Sequence, residues 1–131
     1  MDNRYIALGY HNFRMKLIFP IALIVHISMF VNSISDAIVF SYLYLIDACL
    51  CLVWFSLAVP TFTGLYRRRP NGYRWNRAFL IYMISYLSIR TVLYVSLVNN
   101  FSIGMVIVMI LAIIAHVLEL IYYRHRRTMF S

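Results

Sequence analysis

The sequence predicts an all-α, polytopic membrane protein in which four transmembrane helices form an antiparallel up-and-down bundle. Its 131 residues are 63% hydrophobic and only 12% charged, with a mean hydropathy of +0.79. A soluble domain this short leaves much of its surface in water, so its core is too small to bury so much apolar area. The charges are segregated into a few places, and four long apolar stretches lie between them. Each approaches the roughly 20 residues that a helix needs to cross a bilayer core.

Helix 1 is predicted over about residues 16–34 and helix 2 over about 37–60. Between Leu17 and Ser35 the only ionisable side chain is His26, and helix 2 carries Asp47 as its only charge. The connection between them is short, so we expect antiparallel neighbours. Strands are excluded, because no segment shows the ten-residue alternation of a membrane barrel and backbone groups in lipid must otherwise be bonded within a helix.

Helix 3 is predicted over about residues 78–98 with Arg90 as its only charge, and helix 4 over about 102–123 with Glu119. A second short connection favours a second antiparallel hairpin. Residues 61–77 between the two hairpins are predicted to form a basic cytoplasmic loop, which includes a Pro-Asn-Gly turn at 70–72. The chain 1–131 is therefore expected to be a single four-helix transmembrane domain.

The basic residues, apart from the one inside helix 3, fall in three places. The other two connections carry no Lys or Arg, so the positive-inside rule puts both termini and the central loop in the cytoplasm. Such residues also attract anionic lipid head groups. This segregation argues against nucleic acid as a partner despite the net charge of +8. The three groups are Arg4, Arg14 and Lys16; Arg67, Arg68, Arg69, Arg74 and Arg77; and Arg124, Arg126 and Arg127.

Asp47 and Arg90 form a predicted intramembrane ion pair. Asp47 lies about 13 Å from the expected outer end of helix 2 and Arg90 about 12 Å from that of helix 3, at 1.5 Å per residue. A charge at this depth costs several kcal/mol and normally faces a partner. The pair either specifies which helices pack together, which we favour, or gates a pathway. Tyr86 and Tyr94 lie on the same face as Arg90, and outward snorkelling of Arg90 is the alternative.

His26, His116 and Glu119 form a second predicted polar cluster, nearer the cytoplasmic side. Glu119 follows His116 by three residues and therefore shares its helical face. Two histidines on different helices could ligate haem b or relay protons. Nothing else in the sequence indicates a porphyrin pocket, so we expect no cofactor and a hydrogen-bonded structural cluster, with haem b as the alternative. Glu119 could also pair with an arginine near the C-terminus.

Cys49 and Cys51 are two residues apart on one helix and point to different faces, so they are expected to be packing residues and no metal site. No phosphate-binding loop, metalloprotease helix or nucleophile elbow occurs. We therefore expect no catalytic residue and no enzyme activity. Gly104 is the only glycine inside a predicted span, so helix contacts are expected to depend on alanine and serine.

These features favour a small, non-enzymatic subunit or scaffold of a larger assembly in the inner (cytoplasmic) membrane of a bacterium. The expected partners are membrane lipids, including anionic ones, and other membrane subunits or further copies of the chain. The alternative is a small oligomeric transporter or flippase that uses Asp47 or Glu119 as a buried carboxylate. A di-histidine haem b membrane anchor is a lesser alternative.

Overall fold

The computed structural model describes residues 4–39, 44–97 and 102–127, and all regular secondary structure in these ranges is helical. A five-residue π-helical turn, Arg14–Ile18, joins the first two helices into one continuous helical segment. The helices are α1 (Arg4–Phe13), α2 (Phe19–Val39), α3 (Tyr44–Tyr66), α4 (Pro70–Leu97) and α5 (Ile103–His125).

Three helical segments among the described residues are long and apolar enough to cross a membrane: Gly9–Val39, Tyr44–Tyr66 and Ile103–His125. The prediction of an all-helical protein of membrane type is confirmed at this level. Helix α4 is not among the three. The fourth span therefore stays a prediction.

The first predicted connection is helical instead. Helix α2 continues to Val39, and α3 begins at Tyr44 rather than near residue 37. Polar residues at 32–36 favoured a turn there, but no glycine or proline occurs between Pro20 and Pro60 to interrupt the helix. Residues 40–43, between the two helices, lie outside the described part of the chain.

The predicted basic loop over 61–77 is shorter in the structure and consists of Arg67–Arg69 alone. Helix α3 continues through Pro60 and Gly64 to Tyr66. Proline is tolerated inside apolar helices where neighbouring groups satisfy the carbonyl that it leaves unbonded. Pro70 starts α4 rather than a turn, a favourable position because the first helical N–H has no partner within the helix anyway.

The described residues divide into two compact units, Met1–Phe62 and Thr63–Ser131. In the first unit, aromatic rings connect α2 to α3. The start of α2 contacts the end of α3, and the middle of α2 contacts the middle of α3, which is the order expected of antiparallel neighbours. The ring centroids are 5.6 Å apart for Phe19–Phe62, 3.8 Å for His26–Trp54 and 6.5 Å for Phe30–Phe55.

In the second unit, α4 packs against α5. The buried residues of α4 recur every three or four positions and so form one stripe along the helix. In α5 only the polar end is buried, at Glu119 and Tyr123. The stripe of α4 consists of Gly72, Asn76, Phe79, Leu80 and Met83.

The apolar helices differ in how much of their surface the chain itself covers. Only 6% of the most apolar window is buried in the Gly9–Val39 segment and in α5, against 28% in α3. Beyond Phe19, no residue of α2 is buried. The exposed side chains of α2 and α5 are mostly Ile, Leu and Val, and such a surface needs an apolar environment around it.

Candidate functional site

The turn between α3 and α4 has the hydrogen bonds of a Schellman motif. The N–H of Arg69 donates to the carbonyl of Gly64 at 2.9 Å, and the N–H of Arg68 donates to that of Leu65 at 3.1 Å. Arg68 has a φ of 50°, the left-handed conformation that this motif requires at its penultimate position. Glycine usually occupies that position. Because arginines stand at 67–69 instead, no signal in the sequence indicated a tight helix end there.

Two glycines allow the helices on either side of this turn to touch. A Cβ placed on Gly72 would lie 2.7 Å from the backbone nitrogen of Leu65 and closer still to the carbonyl group of Gly64. A Cβ on Gly64 would overlap Gly72 in the same way. This contact lies outside the predicted spans, so the expectation that contacts within the spans depend on alanine and serine is not tested by it. The sequence signal was available in two glycines eight residues apart, but both lay in the predicted loop.

Five exposed arginines lie in the turn and the start of α4, close in sequence to this contact, and we call them the arginine cluster. Three belong to the turn and two to the beginning of α4. Within the part of the chain that the structure describes, none of the five side chains has an ion pair, a hydrogen bond or a ring contact. The arginine cluster consists of Arg67, Arg68, Arg69, Arg74 and Arg77.

The C-terminal arginines lie at the end of α5. Arg124 and Arg127 are exposed, whereas Arg126 is half-buried. The Arg126 guanidinium stands over the ring of Tyr122, 3.9 Å from its centroid. This cation–π contact shows that Arg126 packs against its own helix.

Arg90 is half-buried in α4, and its guanidinium lies 5.2 Å from the centroid of the Tyr86 ring. Tyr86 in turn stacks on Tyr82, with centroids 5.8 Å apart. The predicted neighbour Tyr94 has a side chain outside the described part of the structure. The guanidinium thus has an aromatic surface from the preceding turn of the helix, which lowers the cost of holding it away from water.

Asp47 is half-buried in the first turn of α3. The predicted depth of about 13 Å assumed a helix that began near residue 37. Because α2 continues to Val39, that starting point moves towards Asp47. Asp47 belongs to the first compact unit and Arg90 to the second, and their pairing stays a prediction.

His116 and Glu119 are brought together on α5. The Nδ1–H of His116 donates to Oε2 of Glu119 at 3.3 Å, and the Glu119 side chain is only 10% exposed. His26 lies in the other unit, where its Nδ1–H donates to the carbonyl of Ala22 at 2.8 Å and its ring stacks on Trp54.

Arg14 is a buried charge that the sequence analysis missed. It is 2% exposed, lies in the π-helical turn, and places its guanidinium 5.2 Å from the centroid of Phe19. π-helical turns are often found at functional sites. The available signal was Pro20, which cannot donate to the carbonyl four residues earlier and so favours a widened turn before it.

No group of three His, Cys, Asp or Glu side chains that could hold a metal ion occurs among the residues that the structure describes. Cys49 and Cys51 are not joined in a disulfide, and the first is exposed while the second is buried. No protein-family model, curated protein or solved structure matches the chain. The assignment of function therefore depends on the geometry of the chain itself.

Proposed function

We propose that this chain is a non-enzymatic integral membrane subunit or scaffold of a larger membrane assembly. The supporting observation is the uncovered apolar surface of α2 and α5. These helices are long enough to span a bilayer, yet the chain buries almost none of their apolar windows. A four-span protein of 131 residues has little surface outside the membrane, so its contacts with partners would be made largely through these helices.

In the proposed topology, α4 is the fourth span, and both termini share the cytoplasmic side with the arginine cluster. Each of these three regions is basic, whereas residues 40–43 and 98–102 contain no Lys or Arg. An even number of spans returns the chain to the side on which it started, in agreement with the positive-inside rule. The proposed location is the cytoplasmic membrane of a bacterium.

Photo-crosslinking in native membranes tests the subunit role. A photoreactive residue is placed singly at exposed positions around α5, for example Met105, Val117 and Leu118. A subunit should give protein adducts of defined mass from one face of the helix. The control position is Phe79, which is buried. Adducts with lipid alone, from every position on α2 and α5, would contradict the proposal.

The second candidate is a small transporter or flippase, and the buried Glu119 is the observation that favours it. A carboxylate held by a histidine on an apolar helix could exchange a proton during transport. In proteoliposomes, proton-dependent flux should then be abolished by Glu119→Gln or by Asp47→Asn. Cys49→Ser is the control, because Cys49 is an exposed thiol and the substitution leaves both carboxylates in place. Flux that these carboxylate substitutions leave unchanged would remove this candidate.

The proposal includes no cofactor. The alternative is haem b, for which His26 and His116 would supply Nε2 as the ligating atom. Purification after expression with haem supplied should yield a protein without a Soret band. A Soret band that is lost in both His26→Ala and His116→Ala would overturn this part of the proposal.

A further inference from the structure

The arginine cluster is a concentration of positive charge without compensation in its own unit. Nine arginines occur between Thr63 and Ser131, and Glu119 is the only acidic residue there. The Glu119 carboxylate is buried and accepts a hydrogen bond from His116. The cluster is therefore open to an external anion.

The backbone that carries the cluster is held in one conformation. The Schellman hydrogen bonds close the turn, and the Gly64–Gly72 contact holds the end of α3 against the start of α4. Three consecutive arginines thus project from a fixed turn rather than from the long flexible loop that the sequence predicts. A preorganised site loses less entropy on binding than a flexible one does.

The chemistry of the cluster favours an anion that offers two acceptor oxygens, as a phosphate does. All five side chains are guanidiniums, and the only lysine in the chain is Lys16. A guanidinium presents two parallel N–H donors that match two oxygens of a phosphate, whereas an ammonium acts as a point charge. A carboxylate accepts the same pair of donors, so the position of the cluster decides between a lipid phosphate and an acidic protein surface.

The position of the cluster favours a lipid phosphate over a soluble one. It begins directly after α3, which is long and apolar enough to span a membrane. Tyr66 at the end of α3 is 67% exposed and Trp75 in α4 is 43% exposed. Exposed Tyr and Trp residues next to a span are typical of the head-group region.

We propose that the arginine cluster is a binding site for the phosphate groups of anionic phospholipids. The proposal rests on the proposed membrane location. Lipids with two phosphates, such as diphosphatidylglycerol, should bind more tightly than phosphatidylglycerol because they engage more of the five guanidiniums. Phosphatidylcholine, whose phosphate is neutralised by choline, should show no preference for the site.

Trp75 provides a local probe of this site. The chain has two tryptophans, so Trp54→Phe leaves Trp75 as the only one. This variant is reconstituted in phosphatidylcholine bilayers that contain a small fraction of brominated lipid, which quenches tryptophan on contact. Brominated anionic lipid should be enriched near Trp75 by roughly fivefold over brominated phosphatidylcholine, and salt should reduce the enrichment.

Substitutions then test the guanidiniums. Replacing Arg67, Arg68 and Arg69 together by Gln should abolish the enrichment, and replacing them by Lys should lower it although the charge is kept. Arg69→Gln should lower it more than Lys16→Gln, which removes the same charge elsewhere. Enrichment that persists in the triple Gln variant, or equal enrichment for Arg and Lys, would overturn the proposal.

Further outcomes distinguish the lipid site from the membrane location on which it depends. Failure of brominated phosphatidylcholine to quench Trp75 would contradict the membrane location itself. Equal quenching by both brominated lipids would leave that location intact and overturn the lipid site. In a competition experiment, a poly-glutamate peptide is added at a charge concentration below that of the lipid itself. Displacement of the anionic lipid would then overturn the lipid site in favour of an acidic protein partner. If Trp54→Phe does not fold, native mass spectrometry of the unsubstituted chain with added lipids measures the same preference.

Discussion

Arg68 holds a left-handed backbone conformation, with φ at 50°, at the position where a Schellman motif usually has glycine. A side chain with a Cβ is disfavoured there by about 1–2 kcal/mol, whereas glycine accepts the conformation at some entropic cost. We therefore expect Arg68→Gly to raise the free energy of unfolding by about 0.5–1 kcal/mol. Denaturant or thermal unfolding in detergent micelles measures the change.

The two neighbours of Arg68 provide the controls for this prediction. Arg67 and Arg69 have negative φ values. Substitution by glycine therefore relieves no backbone strain at these positions and should be neutral or destabilising. All three variants remove one charge from the same turn, which cancels the electrostatic effect in the comparison. Equal shifts for Arg68→Gly and Arg69→Gly would contradict the assigned backbone strain.

Gly72 and Gly104 should respond to alanine with opposite signs. A Cβ on Gly72 meets the backbone of Gly64 and Leu65, and backbone atoms cannot rotate away as a side chain can. A Cβ on Gly104 has only the Ser102 Oγ nearby, at 3.6 Å, which is ordinary van der Waals contact. Gly72→Ala should therefore cost about 1–3 kcal/mol of stability, and Gly104→Ala should add up to about 1 kcal/mol through its helix propensity.

The unfolding midpoints of these two alanine variants can be compared directly with that of the unsubstituted chain. Gly9→Ala is a second control, because no described atom outside the chain neighbours and backbone of its own helix lies within 4 Å of the Cβ that it would add. Destabilisation of similar size in all three variants would show that the close approach at Gly72 is not the cause.

At the scale of the helical element, Pro20 explains the π-helical turn. The N–H of Phe19 donates to the carbonyl of Arg14, five residues earlier, as in a π-helix. The ring of Pro20, the next residue, would clash with the carbonyl four residues before it in a regular α-helix, and the wider turn avoids this clash. Pro20→Ala restores a donor and removes that crowding, so residues 14–18 should become α-helical. Loss of the extra residue in the wide turn rotates the preceding segment by about 100° relative to α2.

Cysteine labelling reports this rotation. Met15 is buried, so a cysteine at position 15 should react slowly with a polar maleimide when Pro20 is present and faster in the Pro20→Ala variant. Cys49 and Cys51 are first replaced by Ser and Ala. A cysteine at the exposed position Leu17 gives the reference rate. An unchanged rate at position 15 would mean that proline does not cause the π-helical turn.

Sequence reasoning found the apolar helices but misplaced several of their ends. Long apolar runs identify α3 and α5 because the bilayer imposes a minimum length. Polar residues near Asp36 and the Pro-Asn-Gly at 70–72 were interpreted as turns, yet both lie in helices. A short polar run does not stop a helix that no glycine or proline interrupts, and proline at a helix start resembles proline in a turn.

The candidate sites were predictable to the extent that they depend on local spacing. His116 and Glu119 meet because residues three apart share a helical face. The burial of Arg14 and the contact between Gly64 and Gly72 were not predicted. Both depend on how separate turns of the chain approach each other, and single-helix periodicity does not encode that.

At the scale of the whole molecule, the continuation of α2 to Val39 brings the start of α3 closer to Asp47 than the sequence predicts. Asp47 follows the first described residue of α3 by three positions, about 4–5 Å, and Arg90 precedes the last described residue of α4 by seven, about 10 Å. A carboxylate in the first turn of a helix is also stabilised by the helix dipole. This local stabilisation and the predicted ion pair lead to different mutant behaviour.

A double-mutant cycle distinguishes the two. If Asp47 and Arg90 pair away from water, then Asp47→Asn or Arg90→Gln alone leaves a buried charge and should cost about 3–5 kcal/mol. The double variant Asp47→Asn, Arg90→Gln should lose less stability than Arg90→Ala, because it leaves no unpaired charge buried. The measurement is the fraction of protein that is monodisperse after extraction, together with its thermal midpoint. The ion pair is contradicted if the costs of the two single substitutions simply add and Asp47→Asn costs less than about 1 kcal/mol. Asp47 would then be stabilised by the dipole of α3, and Arg90 by its contact with Tyr86.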